Sequence, residues 1–596
     1  MGDGAGERRA AGGDAGDAAA PGPDDAGLWT AVEGGGGGAG ASRLAIVDLD
    51  PRGRQPLSHG GARVVFNGEI YNHRLLRREL EADGAVFATA TDTEVIPALY
   101  ARRGEGLLDA LEGMFAFALW DGRRLLLARD RLGVKPLFVA ERGDGLLFAS
   151  EPKALLASGV IDDGIDGIDR QALHDYLGLC YVPGPRTLWR GMTQLPPGHA
   201  LMWEAGRVRR WRWWRPVFAV PRPAASLRVA AAETRRLLCA AVEDRLMADV
   251  PLGVFLSGGL DSTAVLWAMR EAGARRPAFT IRFAEAGFDE SAVAARVARA
   301  LGAEHHVETV RPDPVAVVDA LAPAMDQPFA DSSAVAVWHL CRLARRQVTV
   351  ALGGDGGDEV FAGYRTHVAW WLARHWRRLP ARLREGFTAA VARLPVSHGK
   401  VSLDLQARAF TAAAGRPAVA AHALFKSFLS EEARRELMGS GDEIAPTVRL
   451  FEGIARGESL DDILACDLGI YLPDDILVKL DRMSMAHGVE ARVPLLDRRL
   501  VEAAGRWPAG HKLRGPVTKV ALRAALVGRV PAEVLGRRKA GFNVPMARWL
   551  VGPLRPRVAE LGASPVVGAW LDRGAVGRLI AEHRARHRDH SRPLWA

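Results

Sequence analysis

The first part of the chain carries short apolar runs separated by turn residues. These runs are Leu44–Val47, Arg63–Phe66, Met114–Trp120, Leu125–Ala128 and Leu146–Ala149. Their length and spacing predict antiparallel β-strands with a few helices over residues 42–165. Residues 166–226 are rich in proline and tryptophan, and we predict a linker there.

From residue 227 the apolar runs alternate with segments of helical periodicity. Strands are predicted at Gly253–Leu256, Ala278–Phe283, His306–Val310 and Val348–Leu352. Strands that alternate with helices indicate a mostly parallel sheet, and the pattern after about residue 366 is largely helical. We therefore predict an α/β domain over residues 227–560 and a helical tail over residues 561–596.

The composition is that of a folded protein with more than one core. The chain has 596 residues, of which 48% are hydrophobic and 25% charged, which excludes disordered, collagen-like and coiled-coil classes. Residues 1–41 differ, because they are rich in glycine, alanine and aspartate and contain five successive glycines at 34–38. A segment of such low complexity buries too little apolar surface to offset the conformational entropy that it would lose on folding.

The distribution of charge and the spacing of the cysteines argue against several classes of function. The net charge of +9 is spread along the chain, so no nucleic-acid partner is expected. Four cysteines without CxxC spacing make a zinc site or a disulfide framework unexpected. No apolar run reaches about 18 residues, so we expect no membrane partner and a cytoplasmic location.

Two glycine-rich acidic turns carry the strongest chemical signal. Ser257–Ser262 follows a predicted strand and opens a helix, and Gly353–Glu359 follows another strand. Glycines and a helix N-terminus can hold phosphates, while Asp261 offers a hard oxygen ligand to Mg²⁺. In an open α/β sheet such turns meet at one edge, where ligands bind. The alternatives are a capped Gly-Gly turn and a flexible acidic turn.

Weaker signals lie elsewhere. Asn67 and Gly68 follow a strand, where they form either an oxyanion hole or an ordinary hairpin turn. Asp92 either holds a substrate ammonium or caps a helix. Lys479 and Arg482 share one face of a predicted helix, and the alternative is a pair of solvated charges.

Taken together, these segments resemble the glutamine-dependent asparagine synthetases. The resemblance runs from about Pro23 to Trp595 and rests on ordered matches at Pro23–Asp25, Arg43–Asp48, Asn67–Asn72, Ala128–Leu137, Ser257–Ser262, Phe288–Glu290, Asp326–Ser333, Gly354–Tyr364, Arg482–Met485, Glu490–Pro494 and Lys539–Phe542. It implies an α+β glutaminase sandwich of the N-terminal-nucleophile type, followed by an α/β parallel-sheet ATP-pyrophosphatase domain with a helical C-terminal part.

The resemblance also implies site residues. Glutamine-binding positions are Arg43, Asn67, Glu69 and Asp92, with Asn67 and Gly68 as the oxyanion hole. ATP-binding positions are Leu256, Ser257, Gly258, Gly259, Asp261, Ser262, Ile281, Gly353 and Gly354. Asp261 and Asp358 match the Mg²⁺ carboxylates, and Asp355 falls where the family commonly has a catalytic glutamate. The lysine that stabilises the family's intermediate corresponds to Lys479 or to Arg482.

The clearest departure from the family is at the N-terminus. The family begins Met-Cys-Gly, and that cysteine is the nucleophile of glutamine hydrolysis. Here position 2 is glycine and the first cysteine is Cys180. Two interpretations stay open: a degenerate glutaminase that leaves an ammonia-dependent enzyme, or a misplaced or frame-shifted start of the sequence. At the other end, His590–Ala596 resembles the start of a terminal helix that relatives continue.

The expected function is that of a ligase that makes asparagine. It would amidate aspartate through β-aspartyl-AMP, with ATP as substrate, Mg²⁺ as cofactor, and glutamine or ammonia as nitrogen source. One alternative is a related amidotransferase that acts on a sugar, a peptide or a secondary metabolite. Another is a catalytically silent scaffold. Small-molecule substrates are the expected partners, and a homodimer is left open.

Overall fold

The computed structural model describes residues 24–30, 38–218, 226–283, 289, 291–395, 403–439, 444–537 and 544–596. Most of the predicted low-complexity segment, the ends of the Phe288–Glu290 motif and the Lys539–Phe542 motif lie outside these residues. Within them, no helix has the length and apolar character needed to span a membrane.

The N-terminal half is built mainly from antiparallel strands. Its strands are β1 Asp25–Thr30, β2 Gly38–Arg43, β3 Leu57–His59, β4 Ala62–Ile70, β5 Gly113–Trp120, β6 Arg124–Arg129, β7 Phe138–Arg142, β8 Gly145–Ala149, β9 Met192–Gln194, β10 His199–Glu204 and β11 Arg207–Arg212. Its helices are α1 His73–Ala82, α2 Val95–Arg103, α3 Leu107–Ala110, α4 Pro152–Ala157 and α5 Arg170–Leu179.

Nine of these strands form a layered sandwich, and β1 and β2 pair with each other in a separate two-stranded sheet. A six-stranded sheet has the order β11-β10-β6-β5-β4-β3, and a three-stranded sheet has the order β8-β7-β9. Side chains alternate along β5, so that Ala116 and Ala118 pack with Val139 of the small sheet. Phe115 and Phe117 belong to a second core on the other face, which includes residues of α1 and α2.

The C-terminal half contains a parallel sheet surrounded by helices. Its strands are β12 Leu252–Phe255, β13 Ala278–Phe283, β14 His305–Val310, β15 Val350–Leu352, β16 Glu490–Arg492, β17 Leu513–Arg514 and β18 Val517–Thr518. Helices α6 to α18 are Leu227–Asp244, Leu260–Glu271, Ser291–Leu301, Pro314–Met325, Ser333–Arg345, Gly357–Phe361, Arg365–Trp376, Ala381–Ala392, Leu403–Ala413, Ala418–Lys426, Glu431–Met438, Val448–Glu452 and Leu460–Cys466.

The remaining helices follow a π-helical segment at Asp467–Ile476. Helices α19 to α28 are Leu477–Met485, Arg498–Gly505, Ala509–Lys512, Val520–Leu526, Ala532–Gly536, Met546–Val551, Arg555–Ala563, Pro565–Trp570, Arg573–Arg584 and Ser591–Trp595. The sheet order is β14-β13-β12-β15-β16, and all four strand pairs are parallel. The predicted succession of an antiparallel sandwich and a parallel α/β region with many helices is therefore confirmed.

Three local predictions differ from the structure. Asn67 and Gly68, predicted to follow a strand, lie within β4 and pair with β5, so they form no hairpin turn. Leu44–Val47 forms no strand, because the chain turns around the Arg43 guanidinium, which donates to the carbonyl of Val47 at 3.0 Å and of Asp48 at 2.7 Å. Residues 166–226, predicted to be a linker, contain a helix and three strands. Because β10 pairs with β6, and β9 with β7, the N-terminal sheets extend beyond residue 165.

Candidate active site

The predicted glutamine-binding residues surround one cavity. It measures about 170 Å³, and its wall includes Arg43, Asn67, Gly68, Glu69 and Asp92. The same wall includes residues of α19 and β16 from the C-terminal half. The structure thus brings together all five residues, and their role in glutamine binding stays a prediction.

Close strand packing explains the glycine at position 68. Gly68 has φ +143°, and a Cβ at this position would lie 2.0 Å from the Met114 carbonyl oxygen of β5. Only glycine fits such a close approach of two strands. The Asn67 side chain and the Gly68 backbone therefore stand beside the cavity, where an amide and a backbone N–H can stabilise an oxyanion.

Opposite charges line the cavity. The Asp92 Oδ2 accepts a hydrogen bond from the Ile70 backbone N–H at 2.8 Å, which fixes this buried carboxylate. Arg43 uses one terminal nitrogen to hold the carbonyls of Val47 and Asp48. A guanidinium and a carboxylate in one wall suit the carboxylate and the ammonium of a free amino acid.

Glu69 joins the cavity to the C-terminal half. Its Oε2 accepts from Nη2 of Arg492 at 2.7 Å, and Arg492 also donates through Nε to Glu490 Oε1 at 2.7 Å. Burial and the nearby Asp92 carboxylate raise the pKa of Glu69 well above its ordinary value, and the Arg492 cation opposes this rise. The charge state of Glu69 therefore depends on a residue of β16.

The cavity offers no thiol. Its wall contains no cysteine among the residues that the structure describes. The four cysteines of the chain are at positions 180, 239, 341 and 466. Cys180 is buried at the end of α5, and burial raises its pKa to about 12. A thiol in such surroundings does not ionise near neutral pH.

The first glycine-rich turn forms the N-terminus of helix α7. Leu256 is buried directly after β12, and Ile281 is buried in the neighbouring β13. Within the turn, the Ser257 backbone N–H donates to Ser262 Oγ at 3.2 Å, and the Gly259 N–H donates to Ser257 Oγ at 3.2 Å. The turn thus keeps its amides at a helix N-terminus, which is an anion-binding position.

The second glycine-rich turn packs directly on the first. A Cβ at Gly354 would lie 2.6 Å from the backbone nitrogen of Ser262, so this contact also requires glycine. The preceding Gly353 follows β15, which is the parallel neighbour of β12. The predicted ATP-binding turns therefore meet at one edge of the sheet, as expected for ligand sites in open α/β sheets.

A buried lysine joins the two predicted magnesium ligands. Lys519 Nζ lies 2.6 Å from Asp358 Oδ1 and forms a second ion pair with Asp261. Only 5% of the Lys519 side chain is exposed. Asp261 and Asp358 thus converge on one cationic group. Two carboxylates beside a phosphate-binding turn are the donor set that Mg²⁺ uses together with substrate phosphates.

The structure separates the two candidates for the intermediate-stabilising cation. Lys479 Nζ donates to Asp331 Oδ2 at 2.5 Å. Although burial opposes it, the carboxylates of Asp331, Asp475 and Asp355 raise the pKa of Lys479. Lys479 is therefore a cation near the predicted catalytic Asp355.

Arg482 lies in a different place. It pairs with Glu151 Oε1 of the N-terminal half at 3.0 Å and donates to the Ser150 carbonyl at 2.8 Å. It also lines the cavity that Asn67 and Glu69 line. Arg482 thus contacts residues of the N-terminal half, whereas Lys479 lies near Asp355 of the second glycine-rich turn, and the choice between them stays a prediction.

The sequence analysis gave no role to two residues of these sites, Lys519 and Arg492. Lys519 is one of only eight lysines in a chain that otherwise uses arginine, and this scarcity is the signal that could have marked it. Arg492 appeared only as part of the Glu490–Pro494 match. Lys519 is far in sequence from Asp261 and Asp358, and Arg492 is far from Glu69, so local patterns do not reveal these contacts.

Comparisons with known proteins agree with this geometry. A family model described as "Asparagine synthase" matches residues 233–596, and one described as "Glutamine amidotransferase domain" matches residues 15–214. The first match covers more than half of the chain. The chain belongs to the asparagine synthetase family, which confirms the resemblance found in the sequence.

Three relatives illustrate the similarity. A Mycobacterium tuberculosis (strain ATCC 25618 / H37Rv) protein named "Putative asparagine synthetase (glutamine-hydrolyzing)" is 38% identical, over 96% of this chain and 90% of its own length. "Asparagine synthetase (glutamine-hydrolyzing) 1" of Bacillus subtilis (strain 168) is 32% identical, over 94% and 88%. "Amidase chry2" of Gibberella zeae is 29% identical, over 91% and 85%.

Proposed function

We propose that this protein makes asparagine from aspartate, ATP and a nitrogen donor, and releases AMP and pyrophosphate. The observation that carries the proposal is the joint contact of Lys519 with Asp261 and Asp358, where two glycine-rich turns meet. The names of relatives that are 32–38% identical support the same reaction.

The chain's own groups suit the nucleotide. The N–H groups of Ser257 and Gly259 are used within the turn, and the other amides of the turn bind the phosphates at the N-terminus of α7. The buried Leu256 and Ile281 provide an apolar surface for the adenine. Lys519 places a positive charge between two carboxylates, close to the phosphates. It therefore stabilises the charge that develops as pyrophosphate leaves.

Asp261 and Asp358 would hold Mg²⁺. Within the described residues no cluster of three or more metal-binding side chains occurs, so protein carboxylates would supply only part of the coordination. This fits an ion that binds through one or two carboxylates and completes its shell with phosphate oxygens and water. Bound Mg²⁺ would neutralise phosphate charge.

The acceptor site lies beside Asp355 and Lys479. The β-carboxylate of aspartate attacks the α-phosphorus of ATP, which gives β-aspartyl-AMP and pyrophosphate. Ammonia then attacks the acyl carbon, and AMP leaves. The Asp331 carboxylate favours the protonated form of Lys479. The Lys479 cation can therefore stabilise the negatively charged oxygens of both transition states.

Exchange of labelled pyrophosphate into ATP tests the adenylation step. We expect exchange only with both aspartate and Mg²⁺ present. Asp261→Asn should lower the rate at least about tenfold, which corresponds to roughly 1.4 kcal/mol. Asp319→Asn is the matched control, because Asp319 is an exposed partner of Arg557. Exchange that is equal with and without aspartate would exclude aspartate as the acceptor.

The nitrogen source of this polypeptide is proposed to be ammonia. Covalent glutamine hydrolysis requires an activated nucleophile, and the described wall of the glutamine cavity holds no cysteine. We expect asparagine from ammonium chloride and no glutamate from glutamine above background. Glutamate production at a rate that matches asparagine synthesis would contradict this expectation.

An alternative acceptor is kept because of one group of relatives. "Amidase chry2" is 29% identical over most of the chain. A protein of similar sequence is therefore named as an amidase and not as an asparagine synthetase. Exchange assays with a panel of carboxylates in place of aspartate decide between the two. A larger kcat/KM with another carboxylate would favour the alternative.

We further propose a cytoplasmic location and a homodimer. Family membership and the small-molecule substrates support the location. Light scattering during size-exclusion chromatography tests the dimer, and a mass of one chain would contradict it.

A further inference from the structure

The acidic groups around Glu69 outnumber the cations that contact them. Glu69, Asp92 and Glu490 are 2%, 5% and 5% exposed, whereas Arg492 is 0% exposed and pairs with two of them. Within the described part of the chain, no donor reaches Glu69 Oε1, although this atom is buried. Glu69 also lines the cavity.

Arg492 is held rigidly by the C-terminal half. Its Nη1 donates to the carbonyls of Arg245 at 2.9 Å and Met247 at 2.5 Å. Its own carbonyl accepts from the Gly353 N–H at 2.8 Å, at the start of the second ATP turn. Because the side chain and the backbone are both fixed, the guanidinium offers Nη2 to Glu69 in one defined orientation.

We propose that Arg492 is a positioning residue that completes the glutamine site from the synthetase half of the chain. It holds the Glu69 carboxylate so that Oε1 accepts the ammonium of the amino acid. The inference rests on the proposed function, because it takes the cavity to be the glutamine site. It adds a residue that reaches this site from the other half of the molecule.

The charges around Glu69 predict a pH signature. Burial raises the pKa of Glu69 most, the carboxylates of Asp92 and Glu490 raise it further, and the Arg492 cation lowers it. Arg245 faces the Tyr71 ring 4.5 Å away, His73 is close to Asp92, and Lys135 is close to Glu490. Without Arg492 the pKa of Glu69 rises, so the ammonium-binding carboxylate forms only at higher pH.

The test measures glutamine binding by titration calorimetry with the full-length protein from pH 6 to pH 8.5. Arg492→Gln alone leaves Glu69 and Glu490 without their cation and endangers folding. We therefore combine Arg492→Gln with Glu490→Gln, which removes one positive and one negative charge. We expect at least tenfold weaker binding at pH 7, with the affinity recovering toward higher pH.

Two further variants isolate the role of the cation. Arg492→Lys keeps the charge and should bind glutamine within about threefold of the wild type. Arg498→Gln is the matched control, because Arg498 makes another ion pair between the halves, to Glu112 at 2.8 Å. It should leave both the affinity and its pH profile unchanged.

The outcomes separate the inference from the proposed function. Wild-type affinity and pH profile in the Arg492→Gln, Glu490→Gln variant would overturn the role of Arg492. An equal loss in Arg498→Gln would also overturn it, because any ion pair between the halves would then have the same effect. Aspartate-dependent pyrophosphate exchange without glutamine binding by the wild type would overturn the inference and leave adenylation standing.

Discussion

Replacing Lys519 by methionine tests the synthetase site most severely. The side chain is 5% exposed and bridges Asp261 and Asp358, with a distance of 2.6 Å to the latter. Methionine keeps the unbranched chain and removes the charge. The buried Asp358 and the partly buried Asp261 then lose this cation.

The expected loss has a structural and a catalytic part. Removing one partner of a buried ion pair costs about 3–5 kcal/mol of unfolding free energy, since the remaining charge stays desolvated. Mg²⁺ binds the same carboxylates and should restore part of this stability. Losing a cation that stabilises transition-state charge costs roughly 10²–10³ in rate, or about 2.7–4 kcal/mol.

Two assays measure these parts. Thermal unfolding with and without Mg²⁺ reports stability, and pyrophosphate exchange at saturating ATP and aspartate reports catalysis. Lys512→Met is the matched control, because Lys512 is equally buried and pairs with Asp461 at 2.6 Å outside the site. We expect both variants to be less stable, and only Lys519→Met to lose exchange and to gain stability from Mg²⁺.

One pattern of results would refute the reasoning. If folded Lys519→Met exchanged pyrophosphate within about threefold of the wild type, Lys519 would not act on the transition state. If Lys512→Met lost as much exchange, general loosening of the fold would explain both results. Lys519→Arg adds a further check, because a planar guanidinium keeps the charge and changes the geometry.

Three more predictions follow from the geometry. Burial raises the pKa of Asp474 to about 7, so the contribution of this carboxyl to the unfolding free energy should fall as pH rises from 4 to 7. Asp474→Asn should remove this contribution, about 3 kcal/mol over that range, in denaturant titrations. Lys479→Gln should lower pyrophosphate exchange at least tenfold, and an equal or larger loss in Arg482→Gln would reverse their assignment. Gly68→Ala should lower the melting temperature and abolish glutamine binding in calorimetry, because its Cβ would lie 2.0 Å from the Met114 carbonyl oxygen.

Local sequence patterns explain which parts of the sites were predictable. Ser257–Ser262 and Gly353–Glu359 each follow an apolar strand, so their position at the end of a strand can be read from neighbouring residues. Parallel pairing then brings both turns to one edge of the sheet, as the structure has them. The same reasoning expected Asn67 and Gly68 just after a strand, whereas β4 continues through both residues to Ile70, because they pair with Ala116 and Phe115 of β5.

Contacts between distant residues were not predictable in this way. Lys519 is 258 residues from Asp261, and Arg492 is 423 residues from Glu69. No periodicity links such positions, and a buried lysine has the same sequence signature as an exposed one. The strands within residues 166–226 were not predicted for another reason: the prolines and arginines of this segment are typical of a linker. In the structure β10 is nevertheless a strand of the six-stranded sheet and pairs with β6.

Isotope transfer from aspartate to AMP tests the central claim most directly. Aspartate labelled with ¹⁸O in its β-carboxylate is incubated with the protein, ATP, Mg²⁺ and ammonium chloride, and the products are analysed by mass spectrometry. If the β-carboxylate attacks the α-phosphorus, each asparagine formed is accompanied by one AMP that carries one ¹⁸O. Label in inorganic phosphate with formation of ADP, or asparagine without labelled AMP, would contradict the account.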